Sequence, residues 1–359
     1  MNVLHLQLTG NPGGIVTLCR SIAKVSKHCN HMYFLFSGGT VADAMEQENV
    51  PVVVSNTPRF KWEKSKRTLL RYCKENQINV IVCHSNSPIA IAHTLFVKKH
   101  ITQTKLIMYL HGAAENIIPH GIKYLYYSFF INQMKNASDA IVAISEYVNK
   151  SCVSKLNLNP LKVHTVYNGV DCNLYTPGKY TPSKYMELIY VGRLFPAKGV
   201  DILIDAITKM EDPSKVRLTV VGSGPSLDEL KEQVERSEIP IEVRFLGSRL
   251  DIPELLKAAN FFVHPAILNE GFGITLIEAM ACGVPCIAFN KGAIPEIIDS
   301  GKNGYIVNED NVEALAAQLN TCISFVGTPE YIKMRRQARI DAERFDIRNM
   351  VCNLEKLYF

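Results

Sequence analysis

At 359 residues the chain is too long for one ordinary hydrophobic core, and its 47% hydrophobic, 20% charged composition is that of a globular protein, so two domains are expected. No uninterrupted apolar run approaches the roughly 18 residues of a membrane span, which excludes a helical integral membrane protein. The formal charge of +5 hides an asymmetry, because the first 173 residues carry 18 Lys/Arg against 9 Asp/Glu and the remainder 21 against 25; the two halves are expected to meet different partners.

Strand-like runs alternate with helical ones throughout, which gives the α/β class with parallel sheets. The opening MNVLHLQLTG carries no basic region leading into an apolar core, so no secretory signal is expected. Residues 3–8 read as a buried first strand, followed by Thr9-Gly10-Asn11-Pro12-Gly13-Gly14 and a helix to about residue 26. The spacing is not the GxGxxG of a dinucleotide fingerprint, and Gly13-Gly14 alone could serve only a tight turn. Residues 33–37 and 52–55 are the next strands. Residues 59–74, RFKWEKSKRTLLRYCK, gather seven basic residues around the only tryptophan, with Trp62, Leu69, Leu70 and Cys73 on one helical face. Two readings stand here: a helix covering the sheet with a solvated basic back, or a surface that meets anionic lipid.

Residues 79–84 form a strand ending in His84-Ser85-Asn86, and residues 105–110 another ending in His111-Gly112. Histidines at the carboxyl ends of parallel strands lie where α/β folds place ligands. His111, with glycine after it, is expected in the site; His84 is open between site and structure. The aromatics of residues 117–136 (Tyr124, Tyr126, Tyr127, Phe129, Phe130) are assigned to core packing. Residues 141–144 are a strand, with Ser145 capping the helix that follows. Residues 163–167 are another, followed by Asn168-Gly169-Val170-Asp171, and residues 176–184 are a linker.

The second half begins with a strand at 187–191 and Gly192-Arg193-Leu194-Phe195-Pro196-Ala197-Lys198-Gly199. Two cations straddling a strand-to-helix turn suit a pyrophosphate, with arginine as a fork and lysine as a point charge. A surface ion pair is the competing reading. Strands at 217–221 and 243–247 lead to Gly222-Ser223-Gly224-Pro225 and Ser248-Arg249-Leu250, and a helix covers 253–260. Then come a strand at 261–264, Glu270-Gly271-Phe272-Gly273, a helix from about Ile274, and a strand at 285–289 ended by Lys291-Gly292-Ala293. This is a parallel crossover unit. Glycines directly before a helix let a ligand approach the backbone, and the first free N–H groups there favour an anion. Glu278 sits about one turn into the helix, where a carboxylate repels phosphate unless it accepts hydrogen bonds from a sugar hydroxyl pair. The stretch therefore suits a nucleotide. The ten cysteines include no CxxC pair, and Cys282 and Cys286 read as packing, so reduced thiols of a cytosolic enzyme are expected. Helices at 311–323 and 330–344 and a tail at 346–359 complete the chain.

Glu270 and Glu278, eight apart in this surrounding text, resemble the signature of the family-4 glycosyltransferases (glycosyl transferases group 1), retaining enzymes of the GT-B fold. Gly13-Gly14, His111-Gly112, residues 168–171, Gly192-Arg193, Lys198-Gly199 and residues 222–225 follow in the family's order, so the resemblance covers nearly the whole chain. Ala293 departs from the pattern, standing where a second glycine is common. The resemblance implies two Rossmann-like parallel-sheet domains facing across a cleft. One is an acceptor-binding domain over 1–173, to which a C-terminal helix at about 345–359 returns; the other is a nucleotide-sugar-binding domain over 174–344. It implies His111, Arg193, Lys198 and Glu270 as catalytic residues. Gly13, Gly14, Gly222, Arg249, Gly271, Phe272, Gly273, Ile274, Thr275 and Glu278 are the implied substrate-binding ones. Arg193, Lys198 and the N–H groups of 271–275 would stabilise the departing diphosphate. Glu278 would hold the ribose, and Glu270 and His111 would orient the transferred sugar.

No D-x-D occurs in the chain, and neither a metal nor a cofactor is expected. The expected donor is a nucleoside-diphosphate sugar, a UDP-sugar before GDP-mannose. The expected acceptor is a glycan or a polyprenyl-diphosphate-linked glycan in cell-surface polysaccharide synthesis, and nucleic acid is not an expected partner. The expected location is the cytoplasm, with peripheral attachment to an anionic surface at the inner face of the plasma membrane if the basic helix meets lipid. Two other readings stay open: a noncatalytic GT-B partner that binds a nucleotide-sugar, and another GT-B enzyme such as a sugar-nucleotide epimerase.

Overall fold

The computed structural model describes residues 1–57, 62–118, 121, 123–237 and 242–359. The chain divides into two units, Met1–Gly169 with Ile347–Phe359, and Val170–Asp346.

The first unit is built on seven strands: β1 (Asn2–Thr9), β2 (Cys29–Ser37), β3 (Val52–Val54), β4 (Val80–Cys83), β5 (Lys105–Leu110), β6 (Ala140–Ala143) and β7 (Val163–Thr165). They pair in parallel in the order β3-β2-β1-β4-β5-β6-β7. Central strands such as β4 and β6, buried along their whole length, read as short continuous apolar runs because helices cover both faces of such a sheet. Ser145 caps the helix Glu146–Lys155 by accepting from the Val148 N–H at 3.1 Å. The helix Ile347–Glu355 belongs to this unit, where Ser26 Oγ donates to Glu355 at 2.6 Å. Gly169 is required at its passage: a Cβ there would lie 2.6 Å from the Ile347 Cα.

Helices Trp62–Glu75, Pro88–His100 and Lys123–Ala137 lie side by side in one layer. On the first, Leu69 and Cys73 are buried, Trp62 and Leu70 half-buried, and Lys64, Arg67, Arg71 and Lys74 exposed. Arg59 and Lys61 of the basic stretch lie outside the described residues. The third helix corrects the assignment of its aromatics to the core. Only Ile131 and Met134 are buried, while Tyr124, Leu125, Tyr126 and Phe129 are exposed, Leu125 by 78%. The physical reason is angular: residues 124–130 place aromatics all round the helix, and one face alone can meet the layer beneath.

The second unit carries β8 (Met186–Val191), β9 (Val216–Val221), β10 (Glu242–Phe245), β11 (Phe261–His264), β12 (Cys286–Phe289) and β13 (Gly304–Val307). They form a parallel sheet in the order β10-β9-β8-β11-β12-β13. The core is the apolar face of these strands against helices Val200–Thr208 and Val312–Phe325, with Leu188, Leu203, Phe261, Ile287 and Leu319 among its members. Among the described residues no helix is long and apolar enough to cross a membrane.

Candidate active site

In each unit the parallel strands bring every strand-to-helix turn to one edge, and the crevice beside the point where strand order reverses is where such sheets take ligands. In the second unit that point lies between β8 and β11. The turn after β8 holds Arg193 and Lys198, and the loop after β11 holds Glu270. The two are brought together: Lys198 Nζ donates to Glu270 Oε2 at 2.9 Å. Lys198 is thus ion-paired with Glu270, but both side chains are half-buried, unlike a surface pair. His264, the last residue of β11, places Nε2 3.3 Å from the same oxygen. Burial would raise the Glu270 carboxyl, but His264 and Lys198 outweigh it and hold the group well below the usual carboxylate range. The loop is pinned from two sides. Gly199 has φ +68°, and a Cβ on it would lie 2.0 Å from the Pro265 carbonyl; one on Gly292 would lie 2.2 Å from that of Glu270. Ala293 donates its N–H to the same Glu270 carbonyl at 2.9 Å, so the alanine is accommodated where glycine is common.

Arg193 is exposed, its guanidinium 5.0 Å from the Phe195 ring centre, and its carbonyl accepts from Tyr190 Oη at 2.9 Å. Gly222, with φ +139°, lies against the Gly192 carbonyl, where a Cβ would come within 1.8 Å. Arg249, on the loop after the edge strand β10, is held by Asp251 through two bonds of 2.8 and 2.7 Å. Helix Ile274–Ala281 starts at Gly273, whose φ of +89° needs glycine. The first-turn N–H groups of Ile274 and Thr275 have no intrahelical acceptor. Phe272 is buried and packs on Phe345 at 5.4 Å, so only its backbone can face a ligand. Glu278 lies further along, where Oε1 accepts from Tyr175 Oη at 2.9 Å. Burial pushes the Glu278 carboxyl up to about 7 against the opposing effect of that bond.

In the first unit the order reverses between β1 and β4. Gly13 and Gly14 follow β1, and neither is demanded by the fold. Gly13 is extended with φ 178°, and a Cβ would have its nearest neighbour at 4.0 Å; at Gly14 it would meet nothing within 4 Å. His84 follows β4 and His111 follows β5, with His84 Nδ1 2.9 Å from His111 Nε2. His84 Nε2 lies 2.9 Å from Nδ1 of His5 on β1, and His5 Nε2 lies 2.9 Å from Asn30 Oδ1 on β2. Tyr109 stacks on His111 at 4.5 Å with the rings 7° from parallel. Burial pushes His111 down to about 3, so its imidazole is neutral near pH 7.

Sequence reasoning missed His264, Tyr175, His5 and Asn30. His264 carries the signal that marked His111, a histidine at the carboxyl end of a parallel strand. Tyr175, His5 and Asn30 offered none, since each meets its partner through the fold alone.

Two family models match the chain: "Glycosyl transferases group 1" over residues 178–339 and "Glycosyltransferase Family 4" over residues 12–174. An uncharacterized glycosyltransferase of Methanocaldococcus jannaschii is 26% identical over 87% of this chain and 86% of its own length. The N-acetyl-alpha-D-glucosaminyl L-malate synthase of Bacillus anthracis is 27% identical over 80% of this chain and 75% of its own. Among solved structures, Anabaena HepE in complex with UDP superposes with a TM-score of 0.84 at 25% identity, covering 99% of both chains. HepE has also been solved with UDP-glucose, at a TM-score of 0.82 and 25% identity over 99% of this chain and 98% of that one.

Proposed function

The chain belongs to the family-4 glycosyltransferases (glycosyl transferases group 1) and has their GT-B fold, and from that premise we propose a specific activity. It moves a hexose or N-acetylhexosamine, with retention, from a UDP-sugar to a glycan or polyprenyl-diphosphate-linked glycan in cell-surface polysaccharide synthesis. The observation that carries the reading is the Lys198–Glu270–His264 group at the reversal point of the second sheet. A cation and an ionised carboxylate held together beside a helix start supply what a departing nucleoside diphosphate and a sugar require. Arg193, Lys198 and the N–H groups at the start of helix Ile274–Ala281 stabilise the diphosphate as the glycosidic bond breaks. Glu270 accepts from hydroxyls of the transferred sugar, Glu278 accepts from the ribose, and His111 contacts the sugar. No metal takes part in this scheme, since the cations and N–H groups carry the charge stabilisation. HepE, with its bound UDP and UDP-glucose, supports uridine over guanosine.

Open space at Gly13 and Gly14 supports close approach of a ligand to that turn. The acceptor is met at an anionic membrane surface, where the exposed aromatics of helix Lys123–Ala137 share a layer with the basic helix Trp62–Glu75. A thermal-shift panel of UDP, GDP, UDP-glucose and GDP-mannose tests the donor reading, because a bound ligand raises the melting temperature by mass action. UDP and a UDP-sugar should stabilise the protein and the guanosine compounds should not; no shift with any nucleotide defeats the reading.

A further inference from the structure

The buried polar side chains of the first unit form a directional file. The sheet order puts β2, β1, β4 and β5 side by side. Asn30 on β2, His5 on β1, His84 just past β4 and His111 just past β5 are linked by three contacts of 2.9 Å. Asn30, His5 and His84 are all buried. Burying neutral imidazoles in an apolar sheet costs free energy that a leucine or phenylalanine would not incur. The file is therefore costly as packing and needs another account.

Its proton positions follow from one end. Asn30 Nδ2 donates to the His28 carbonyl at 2.8 Å, which fixes the amide and turns Oδ1 toward His5. An amide oxygen only accepts, so His5 carries its proton on Nε2 and leaves Nδ1 bare. His84 must then donate from Nε2, leaving its own Nδ1 bare, and His111 must donate to that atom from Nε2. Cys19 fits the same polarity. Its thiol, held protonated by burial, accepts from Gln7 at 2.8 Å and lies 3.5 Å from the donating His84 Nε2. Each ring carries a single proton, because burial pushes His5 down to about 4, His84 well below its ordinary value and His111 to about 3.

We propose that Asn30, His5 and His84 are positioning residues that lock His111 in the Nε2–H tautomer, so that its bare Nδ1 accepts a hydroxyl of the transferred sugar. The last clause rests on the sugar contact proposed for His111 under the glycosyltransferase reading; the lock itself does not. Among the described residues His111 Nδ1 has no hydrogen-bond partner. Stacking on Tyr109 holds the plane of the His111 ring.

The test begins with long-range ¹⁵N–¹H correlation spectra of the full chain, ring-labelled at histidine, at pH 7.5, with His111 assigned through H111Q. His111 should show the Nε2–H pattern; an Nδ1–H pattern or an imidazolium overturns the lock. Asn30→Leu, close to asparagine in size, removes the anchor without touching His111. It should give a mixed His111 tautomer and lower UDP-glucose turnover about tenfold, the worth of one ordinary hydrogen bond, with UDP affinity unchanged. Retention of the single tautomer in Asn30→Leu also overturns the lock. A changed tautomer with unchanged turnover upholds the lock and overturns the sugar contact instead. His5 Nδ1, Cys19 Sγ and His84 Nε2 lie within 4.8 Å of one another, close enough to share a metal ion. Zinc at one equivalent per chain in the purified protein would overturn the proposal, because a metal needs both of those nitrogens bare.

Discussion

Lys198 Nζ lies 2.9 Å from Glu270 Oε2, so the cation proposed to meet the donor's pyrophosphate is tied to the carboxylate proposed to meet its sugar. Residues that share one partner do not contribute independently. Lys198→Ala should lower turnover by roughly 10²-fold or more, the usual cost of losing one preorganised charge-stabilising group. Glu270→Gln should lower it as well, and the double variant should lose far less than the two losses combined. Steady-state rates of the four proteins check this. Strict additivity would show that the pair does not act as a unit, and a near-normal rate in Lys198→Ala would remove the residue from the phosphate site.

The two glutamates should separate by what they bind. Glu278→Ala removes the proposed ribose acceptor and should weaken UDP and UDP-sugar alike. Glu270→Ala should leave UDP affinity nearly intact and depress turnover, because the only part of the donor that Glu270 is proposed to meet is the sugar. Calorimetric titration of UDP into both variants decides; equal losses would show the roles are misassigned.

Gly13 and Gly14 offer a test in which stability and activity part company. Replacement of Gly14, the first residue of helix Gly14–Val25, by alanine meets nothing within 4 Å. It should keep or raise the melting temperature, since alanine restricts the unfolded chain and gains about 0.4–1 kcal/mol where the conformation allows it. Turnover should nevertheless fall, because the added methyl occupies space proposed for the ligand. Unchanged turnover would return the Gly-Gly turn to a role in chain geometry alone.

How far the sequence could be read depended on how local each signal was. Strand runs and turn glycines are local, so strands β1 to β12 and the placement of Arg193, Lys198 and Glu270 on turns were legible in the order of residues alone, whereas the short, only partly buried β13 was not. The partners of those residues were not. The Tyr175–Glu278 bond spans 103 residues of chain, and the Asn30–His5–His84 file depends on β1 standing between β2 and β4, which no stretch of sequence announces. Helix Lys123–Ala137 differs for another reason: its apolar residues are spread round the helix, so Tyr124, Leu125 and Phe129 turn outward.

Glu278 should give stability a distinctive pH dependence in the absence of nucleotide. Its folded-state value is raised from 4.5 to about 7 by burial, so the folded protein holds this proton more tightly than the unfolded chain does. The associated stability is fully present below about pH 4.5 and is lost as the pH rises through about 7. Glu278→Gln, which cannot titrate, lacks this loss. Urea unfolding from pH 4.5 to 8 should show the wild type weakening relative to Glu278→Gln as pH rises, by on the order of 3 kcal/mol. A constant difference between the two would mean that Glu278 is ionised in the folded protein throughout. Tyr175→Phe removes the one bond that favours the carboxylate, so its loss should be displaced to higher pH.

The basic helix Trp62–Glu75 and helix Lys123–Ala137 should contribute to membrane binding in different ways. Exposed Lys64, Arg67, Arg71 and Lys74 on helix Trp62–Glu75 attract an anionic surface, each worth about 1 kcal/mol and screened by salt. Exposed Leu125 and Phe129 on helix Lys123–Ala137 gain from burial in the interfacial layer, which lipid charge and salt leave almost untouched. Sedimentation with liposomes therefore distinguishes them. Changing the four basic residues to Ser should abolish the preference for anionic over neutral vesicles. Changing Leu125 and Phe129 to Ser should weaken binding to both kinds while preserving that preference and its salt sensitivity. If neither set of changes alters the bound fraction, the basic face is only solvated and the outward aromatics serve some other contact. The acceptor would then be a soluble glycan, met away from any lipid surface.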